Sequence, residues 1–156
     1  MKSRKRVRDA IDGRFTRFQL RVGRSPIEGT GVFALERIPR GKRVIEYTGE
    51  KLTEQQARQR LAKLSRPAGG GRNCIFRVSD GHYIDGAVDG SGAELINHSC
   101  DPNLKSRKGR GRVFYYSRRS LRAGEELTVD YNFRRDAKKV PCQCGSQKCR
   151  GTINRK

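Results

Sequence analysis

Hydrophobic residues along this chain come in short alternating runs broken by turns. Phe15, Phe18, Leu20 and Val22 alternate weakly with polar neighbours and predict a first strand over 15–22. Residues 25–34 read as a turn followed by a strand, and Pro39-Arg40-Gly41-Lys42 as another turn. Val44-Ile45-Glu46-Tyr47 predicts a short strand closing at Gly49. Thr53 has the character of a helix N-cap, with Glu54, Gln55 and Gln56 in the first turn. Ala57, Leu61 and Leu64 then share one helical face, so 53–64 is the one predicted helix. Arg66-Pro67-Ala68-Gly69-Gly70-Gly71 ends it with a flexible loop. Short strands follow near 74–78, 82–85, 112–116 and 127–129. Residues 1–13 are charged and aperiodic, which predicts a loosely held arm. The pattern is that of a mostly β domain with irregular connections and one short helix.

Composition narrows this picture. With 156 residues the chain makes one domain or one domain with a small appendage. A hydrophobic fraction of 33% and the lack of Trp imply a modest core, to which a metal staple would add stability. No apolar run approaches the roughly 18 residues of a membrane span. Met1-Lys2-Ser3-Arg4-Lys5-Arg6-Val7-Arg8 has no apolar stretch behind it, which argues against a secretory signal. The formal charge is +20, which points to nucleic acid, an acidic partner or an anionic surface. Residues 1–24 carry nine basic and two acidic side chains, and residues 105–122 carry eight basic and none acidic, so the excess recurs in two places. Solvated charged faces are the ordinary alternative.

The cysteines carry the clearest chemistry. Cys142, Cys144 and Cys149 form C-x-C-x4-C, three thiols that need one more ligand to close a tetrahedral zinc site. Cys100, in Asn97-His98-Ser99-Cys100, supplies it if the tail folds back onto that loop. Five cysteines in a chain without a secretory signal favour metal or reduced thiols over disulfides. The Gly29-Thr30-Gly31 turn permits close backbone approach to a ligand, though glycine pairs also simply make turns. It is not a dinucleotide fingerprint, since no third glycine and no helix follow. Asn97 and His98 could present an amide and a ring to a ligand bearing an amine and a carboxylate; a structural histidine is the plainer alternative. Tyr131 ends a strand, as core tyrosines with a rim hydroxyl often do.

Taken in chain order, these segments resemble the SET-domain protein lysine methyltransferases with a post-SET zinc segment. Gly29-Thr30-Gly31 stands first, then Tyr47-Thr48-Gly49-Glu50 and Tyr83-Ile84-Asp85-Gly86. Asn97-His98-Ser99-Cys100 follows with Pro102-Asn103, then Gly124-Glu125-Glu126-Leu127-Thr128 leading into Asp130-Tyr131, and the cysteine tail. The resemblance implies a mostly β, β-clip-like SET fold of small curved sheets with a C-terminal pseudoknot, one short helix and a zinc-bound tail. It divides the chain into a basic arm at 1–13, a SET domain at 14–134 and a post-SET segment at 135–156. S-adenosylmethionine would lie against Glu28, Gly29, Thr30, Gly31 and Val32, largely through backbone. Asn97 and His98 would hold its polar ends and base, and Gln143 with Thr152 or Ile153 would cover its adenine. Tyr131 would be the catalytic tyrosine and Tyr47 would line a lysine channel, while Cys100, Cys142, Cys144 and Cys149 would hold one structural zinc.

The implied activity is methyl transfer to the ε-amine of a lysine in a histone or histone-like basic protein. It implies a monomer with no membrane contact, intracellular and nuclear or nucleoid-associated, with nucleic acid as a second candidate partner. The competing reading is a catalytically weak SET-fold module that binds nucleic acid or chromatin. Three segments depart from the family pattern. Glu94-Leu95 replaces Arg-Phe and brings an acid near the cofactor side; Cys74 stands where many relatives carry tyrosine; Val129 replaces the Phe or Tyr that sets methyl number. Valine there leans toward room for di- or trimethylation.

Overall fold

The computed structural model describes residues 10–64 and 73–156. The predicted loop at 66–71 and residues 1–9 of the predicted arm lie outside the described residues. Small antiparallel sheets dominate. β1 (Leu20–Ser25) and β2 (Gly29–Ala34) form a hairpin in register from Leu20↔Ala34 to Ser25↔Gly29. Gly29 closes its turn at φ +70°, where a side chain would be strained. β3 (Arg43–Tyr47) belongs to a second sheet, ordered β3-β9-β8, with β8 at Leu104–Gly109 and β9 at Arg112–Ser117. The turn joining β8 and β9 has positive φ at both Arg110 and Gly111, the signature of a tight type I′ hairpin. A third sheet, ordered β4-β6-β5, contains β4 (Glu50–Thr53), β5 (Ile75–Ser79) and β6 (His82–Asp85).

The helix α1 (Glu54–Leu64) starts where the capping residues place it. The Thr53 hydroxyl accepts from Gln56 N–H at 3.3 Å and the Gln56 side chain accepts from Thr53 N–H at 2.9 Å, a reciprocal capping box. Ala57 is buried and Leu61 and Leu64 are half-buried, so the expected apolar face is the one that packs.

Residues 10–13 differ from the predicted loose arm. Ile11 packs against the core, Asp12 N–H donates to the Ser91 carbonyl at 2.9 Å, and Asp12 caps a short 3-10 turn over Gly13–Phe15. One apolar side chain and one cap suffice to dock a segment whose composition looks unstructured.

The chain's last third returns through the middle of the fold. β7 (Asn97–His98) pairs in parallel with β10 (Thr128–Val129), matching Thr128 to Asn97 and Val129 to His98. On the other side the returning segment bonds to β2, with Ala34 N–H to the Glu125 carbonyl at 2.9 Å and Leu127 N–H to the Val32 carbonyl at 2.7 Å. The buried Asn103 side chain straps it, accepting from Thr128 N–H and donating to the Glu126 carbonyl, both at 2.8 Å. That flanked path is what the expected pseudoknot requires. Val32, Val44, Ile45, Leu104, Val113 and Leu127 are fully buried between the sheets. This shared core fixes the strand ends that carry the site.

Candidate active site and cysteine cluster

Inward-facing residues of the second sheet meet the loop before β7 in one narrow cavity. Tyr47 ends β3 and Tyr115 sits at the centre of β9, and both are buried. Their rings meet Phe76 of β5 at centroid distances of 5.2 and 6.3 Å. Tyr131, Ile96 and Glu94 line the same cavity. Burial pushes the hydroxyls of Tyr47 and Tyr115 above the ordinary phenol range, so both stay neutral at physiological pH.

The two catalytic candidates share one feature. The Tyr47 hydroxyl donates to the Cys74 carbonyl, and the Tyr131 hydroxyl donates to the Ile96 carbonyl at 2.7 Å. A phenol has a single proton to give. With those protons directed at main-chain carbonyls, each oxygen can act only as an acceptor toward a donor in the cavity. A primary amine is such a donor, and an aromatic wall suits its methylene stem.

Behind Tyr131 the site is held by ring and charge contacts. Tyr131 N–H donates to His98 Nδ1 at 3.1 Å, which leaves the ring proton on Nε2, 3.4 Å from Cys100 Sγ. Burial lowers the His98 pKa below its ordinary value although Asp130 opposes it, so the ring is neutral. Arg150 forks onto Asp130 at 2.8 and 3.2 Å. Burial works against the Asp130 charge, but Arg150 together with Asn132 N–H and His98 outweighs it and holds the carboxyl below the ordinary range.

The four cysteines named from spacing come together. Their Sγ atoms lie within 4.8 Å of one another, with Cys100 and Cys142 at 3.7 Å. A tetrahedral thiolate cage with bonds of about 2.3 Å has edges of about 3.8 Å. Arg150 N–H points at Cys100 Sγ and Gly151 N–H at Cys149 Sγ, each at 3.4 Å, which favours thiolates. Burial pushes Cys142 up to about 12. It disfavours the Cys144 thiolate too, but hydrogen bonds from backbone and neighbouring thiols bring that group down to about 6. Cys74 stands apart, buried in the cavity wall.

The remaining expected cofactor contacts divide. Glu28 and Gly29 are exposed, Thr30 is half-buried, and Gly31 and Val32 are buried. Gly31 packs so closely that a Cβ there would fall 2.3 Å from Glu126 Oε1. The Asn97 amide is engaged inside the protein, donating to the Thr30 carbonyl at 2.8 Å, Glu126 at 2.9 Å and Ser25 Oγ at 3.1 Å. It therefore positions β2 against the returning segment. Gln143 stands exposed on the cysteine loop, and Thr152 and Ile153 are half-buried in the tail. Glu94 lies on the tyrosine cavity, buried, with Oε2 accepting from Gly92 N–H at 2.9 Å.

Sequence reasoning overlooked Tyr115, Asp130, Arg150 and Asn154 as site-building residues. Alternation in Val113-Phe114-Tyr115-Tyr116 does mark Tyr115 as inward. Nothing in sequence pairs Arg150 with Asp130. Asn154, fully buried, accepts from Val140 N–H and donates to the Arg134 carbonyl, so it ties the tail end to the segment before the cysteines.

Comparison with known proteins agrees with this geometry. The SET domain family model matches residues 29–132. A histone-lysine N-methyltransferase, H3 lysine-4 specific, from Schizosaccharomyces pombe is 39% identical over 140 residues, 87% of this chain and 15% of the relative. The Saccharomyces cerevisiae protein of the same description is 38% identical over 138 residues, 84% of this chain and 13% of the relative. Histone-lysine N-methyltransferase set-2 of Caenorhabditis elegans is 35% identical over 145 residues, 90% of this chain and 10% of the relative. The chain thus spans only 10–15% of the length of these relatives. A matching family model, a tyrosine-lined cavity beside the Asn97-His98 strand and four converging thiols place this chain in the SET-domain family.

Proposed function

We propose that this chain transfers a methyl group from S-adenosylmethionine to the ε-amine of a lysine in a histone or histone-like basic protein. The observation that carries the reading is the pair of tyrosine hydroxyls, Tyr47 and Tyr131, each donating to a main-chain carbonyl at one cavity. Both offer acceptor capacity to an incoming amine, and neither is a base strong enough to be needed as one.

The residues present suit S-adenosylmethionine. Gly29 at φ +70° leaves open backbone at the β2 entrance. Tyr131, with His98 at 5.4 Å and Phe133 at 5.8 Å, offers an aromatic wall, and Arg150 Nε is buried without a hydrogen-bond partner among the described residues. When bound, S-adenosylmethionine supplies an electrophilic methyl on a sulfonium, whose departure needs no acid. Glu28, Gly29, Thr30, Gly31 and Val32 would hold it by backbone, with His98, Gln143 and Ile153 around it and Asn97 keeping β2 in place.

The protein's own work is then alignment and desolvation. Fixing an amine in line is worth several kcal/mol, up to about 7–11 in well-fixed cases. A free lysine titrates near ~10.4 and is nearly all charged at neutral pH, so desolvation among the rings of Tyr47, Phe76, Tyr115 and Tyr131 favours the neutral nucleophile. Tyr131 and Tyr47 orient its N–H bonds, which turns the lone pair away from them and along the cavity. The proton leaves to water, with no histidine base.

Cys100, Cys142, Cys144 and Cys149 would hold one zinc as a structural clasp. The basic protein substrate implies action at chromatin or a nucleoid-like body. No described helix is long and apolar enough to cross a membrane. The test is labelled methyl transfer to histones, histone-like and ribosomal proteins, with the modified residue found by mass spectrometry. Label on lysine that disappears in Tyr131→Phe supports the reading. Tight cofactor binding with no labelled protein in any panel member would favour the weakly catalytic binding module.

A further inference from the structure

The second sheet has two faces, and only one serves the cavity. Along β9, Val113 and Tyr115 point inward while Arg112, Phe114 and Tyr116 point outward. The outer face continues onto β8, where Lys105 lies opposite Tyr116 and Arg107 opposite Phe114. It continues onto β3, where Arg43 lies opposite Tyr116 and Glu46 opposite Phe114. Two aromatic side chains on the central strand are therefore flanked by basic side chains from all three strands.

The guanidinium groups lie on the rings. Arg43 and Arg112 sit over Phe114 at 4.7 and 4.8 Å, and Arg107 sits over Tyr116 at 4.8 Å. A guanidinium held on a ring loses less freedom when it meets an anion. At the edge of this face Arg14, Phe15 and Arg17 join Arg43 and Arg112 around a cleft. Acids are few. Glu46 pairs with Arg112 at 2.7 and 2.8 Å, and Asp12 pairs with Arg14 at 2.6 Å. Among the described residues, Arg17, Arg43, Lys105 and Arg107 form no ion pair with a carboxylate.

We infer that this outer sheet face, with the Arg14–Arg17 cleft, is a binding site for single-stranded nucleic acid. Phosphates would lie on the arginines, and bases would stack on the guanidinium planes that Phe114 and Tyr116 hold flat. Charge alone would suit any polyanion. Guanidinium planes backed by aromatic rings suit unstacked bases, which a duplex does not present. Because Tyr47 and Tyr115 project from the other side of β3 and β9, a bound strand would lie behind the reaction cavity and leave its mouth open. The inference deepens the nucleic-acid part of the sequence reading by naming its surface, and it does not depend on methyl transfer.

Anisotropy titrations with labelled single-stranded RNA, single-stranded DNA and duplex DNA, over a range of salt, test it on the full chain. Wild-type protein should prefer single strands. Arg43→Gln/Arg107→Gln should weaken single-strand binding roughly tenfold or more and lower the salt slope by about 1.4, the share of two phosphate contacts. Lys105→Gln/Arg107→Gln, both exposed positions, guards against a folding defect and should act in the same direction. Phe114→Leu should weaken single strands more than duplex. Arg58→Gln/Lys63→Gln removes equal charge from α1 and should change binding twofold or less. The inference is overturned if the sheet variants lose no more than that control, or if polyglutamate competes as well as RNA and Phe114→Leu makes no difference. Wild-type protein that binds no nucleic acid at low salt overturns it together with the nucleic-acid reading; methylation of a short peptide by the same preparation reports separately on catalysis.

Discussion

Arg150, one residue past the last cysteine of the cage, holds Asp130, one residue before Tyr131, with hydrogen bonds of 2.8 and 3.2 Å. It also donates to the Ile153 carbonyl at 2.8 Å. One side chain thus couples the tail to the strand end that presents Tyr131. Both partners are mostly buried, so removing one leaves the other short of its interaction.

Arg150→Met should therefore loosen the tail and flatten the protein's acid response. The Asp130 carboxyl is lowered in the folded protein, so its contribution is full above the ordinary aspartate value of about 3.9 and is lost as pH falls through the lower folded value. Thermal midpoints from about pH 6 to about pH 3 should fall more steeply in wild type than in the variant. Parallel slopes would remove the pair from the stability of the fold.

The cysteine cage should hold one zinc per chain. Elemental analysis of the purified protein gives the stoichiometry, and Cys144→Ser should lose the metal and lower the melting temperature. Cys74→Ser should retain it, because Cys74 lies in the cavity wall away from the cluster. Full alkylation of all four cage thiols in the native protein would contradict the site.

Tyr131→Phe should reduce turnover by roughly tenfold or more, at ~1.4 kcal/mol per tenfold, with a smaller change in S-adenosylhomocysteine affinity. The substitution removes the hydroxyl that bonds the Ile96 carbonyl, so a modest loss of stability accompanies it. Single-turnover rates and calorimetric affinity separate the effects. Equal losses in both would make Tyr131 a cofactor contact rather than an aligning group.

Much of this was legible in the chain itself, for reasons that differ by element. The helix was readable because Thr53 and Gln56 form a local capping box, and local signals survive without tertiary context. The four cysteines were readable because metal chemistry restricts their spacing. β8 was missed because only Leu104 and Ser106 turn from solvent, and Lys105, Arg107 and Lys108 hide the alternation behind charge. β7 has two residues and exists through its parallel partner, a contact 31 positions away that no local pattern encodes. Asn97 shows what residue type leaves out: it suggested a ligand contact, and could not show that the amide nitrogen also joins Ser25, Thr30 and Glu126.

Asn97→Ala should accordingly act first on folding. It unpairs the buried Thr30 carbonyl and removes the tie from β7 to Ser25 and Glu126, at about 1–3 kcal/mol for an unsatisfied buried group. A clear drop in denaturation midpoint should appear without cofactor, with weaker S-adenosylhomocysteine binding as a consequence. Wild-type stability combined with weakened binding would instead assign the amide to the ligand.

Gly86 offers a test of the cavity that touches no reacting group. A Cβ at this buried position would stand 2.9 Å from the Tyr47 hydroxyl oxygen, 3.1 Å from its Cζ and 2.7 Å from the Glu94 Cβ. Real side chains do not tolerate such distances in a packed interior, so something must move. Tyr47 is held by the Cys74 carbonyl and the Phe76 ring, and Glu94 by Gly92 N–H. The displacement should pass to the ring, because the main chain at Gly86 is itself bonded to the Cys74 carbonyl at 3.0 Å. Gly86→Ala is expected to lower peptide methylation well beyond its effect on S-adenosylhomocysteine affinity, and to destabilise the fold by about 1–3 kcal/mol. Combining it with Tyr47→Phe removes the contact to the hydroxyl oxygen, so the double variant should lose less than the sum of the two singles. Additive losses in that cycle would show that Gly86 and Tyr47 act independently, and would take Tyr47 out of the wall that shapes the cavity.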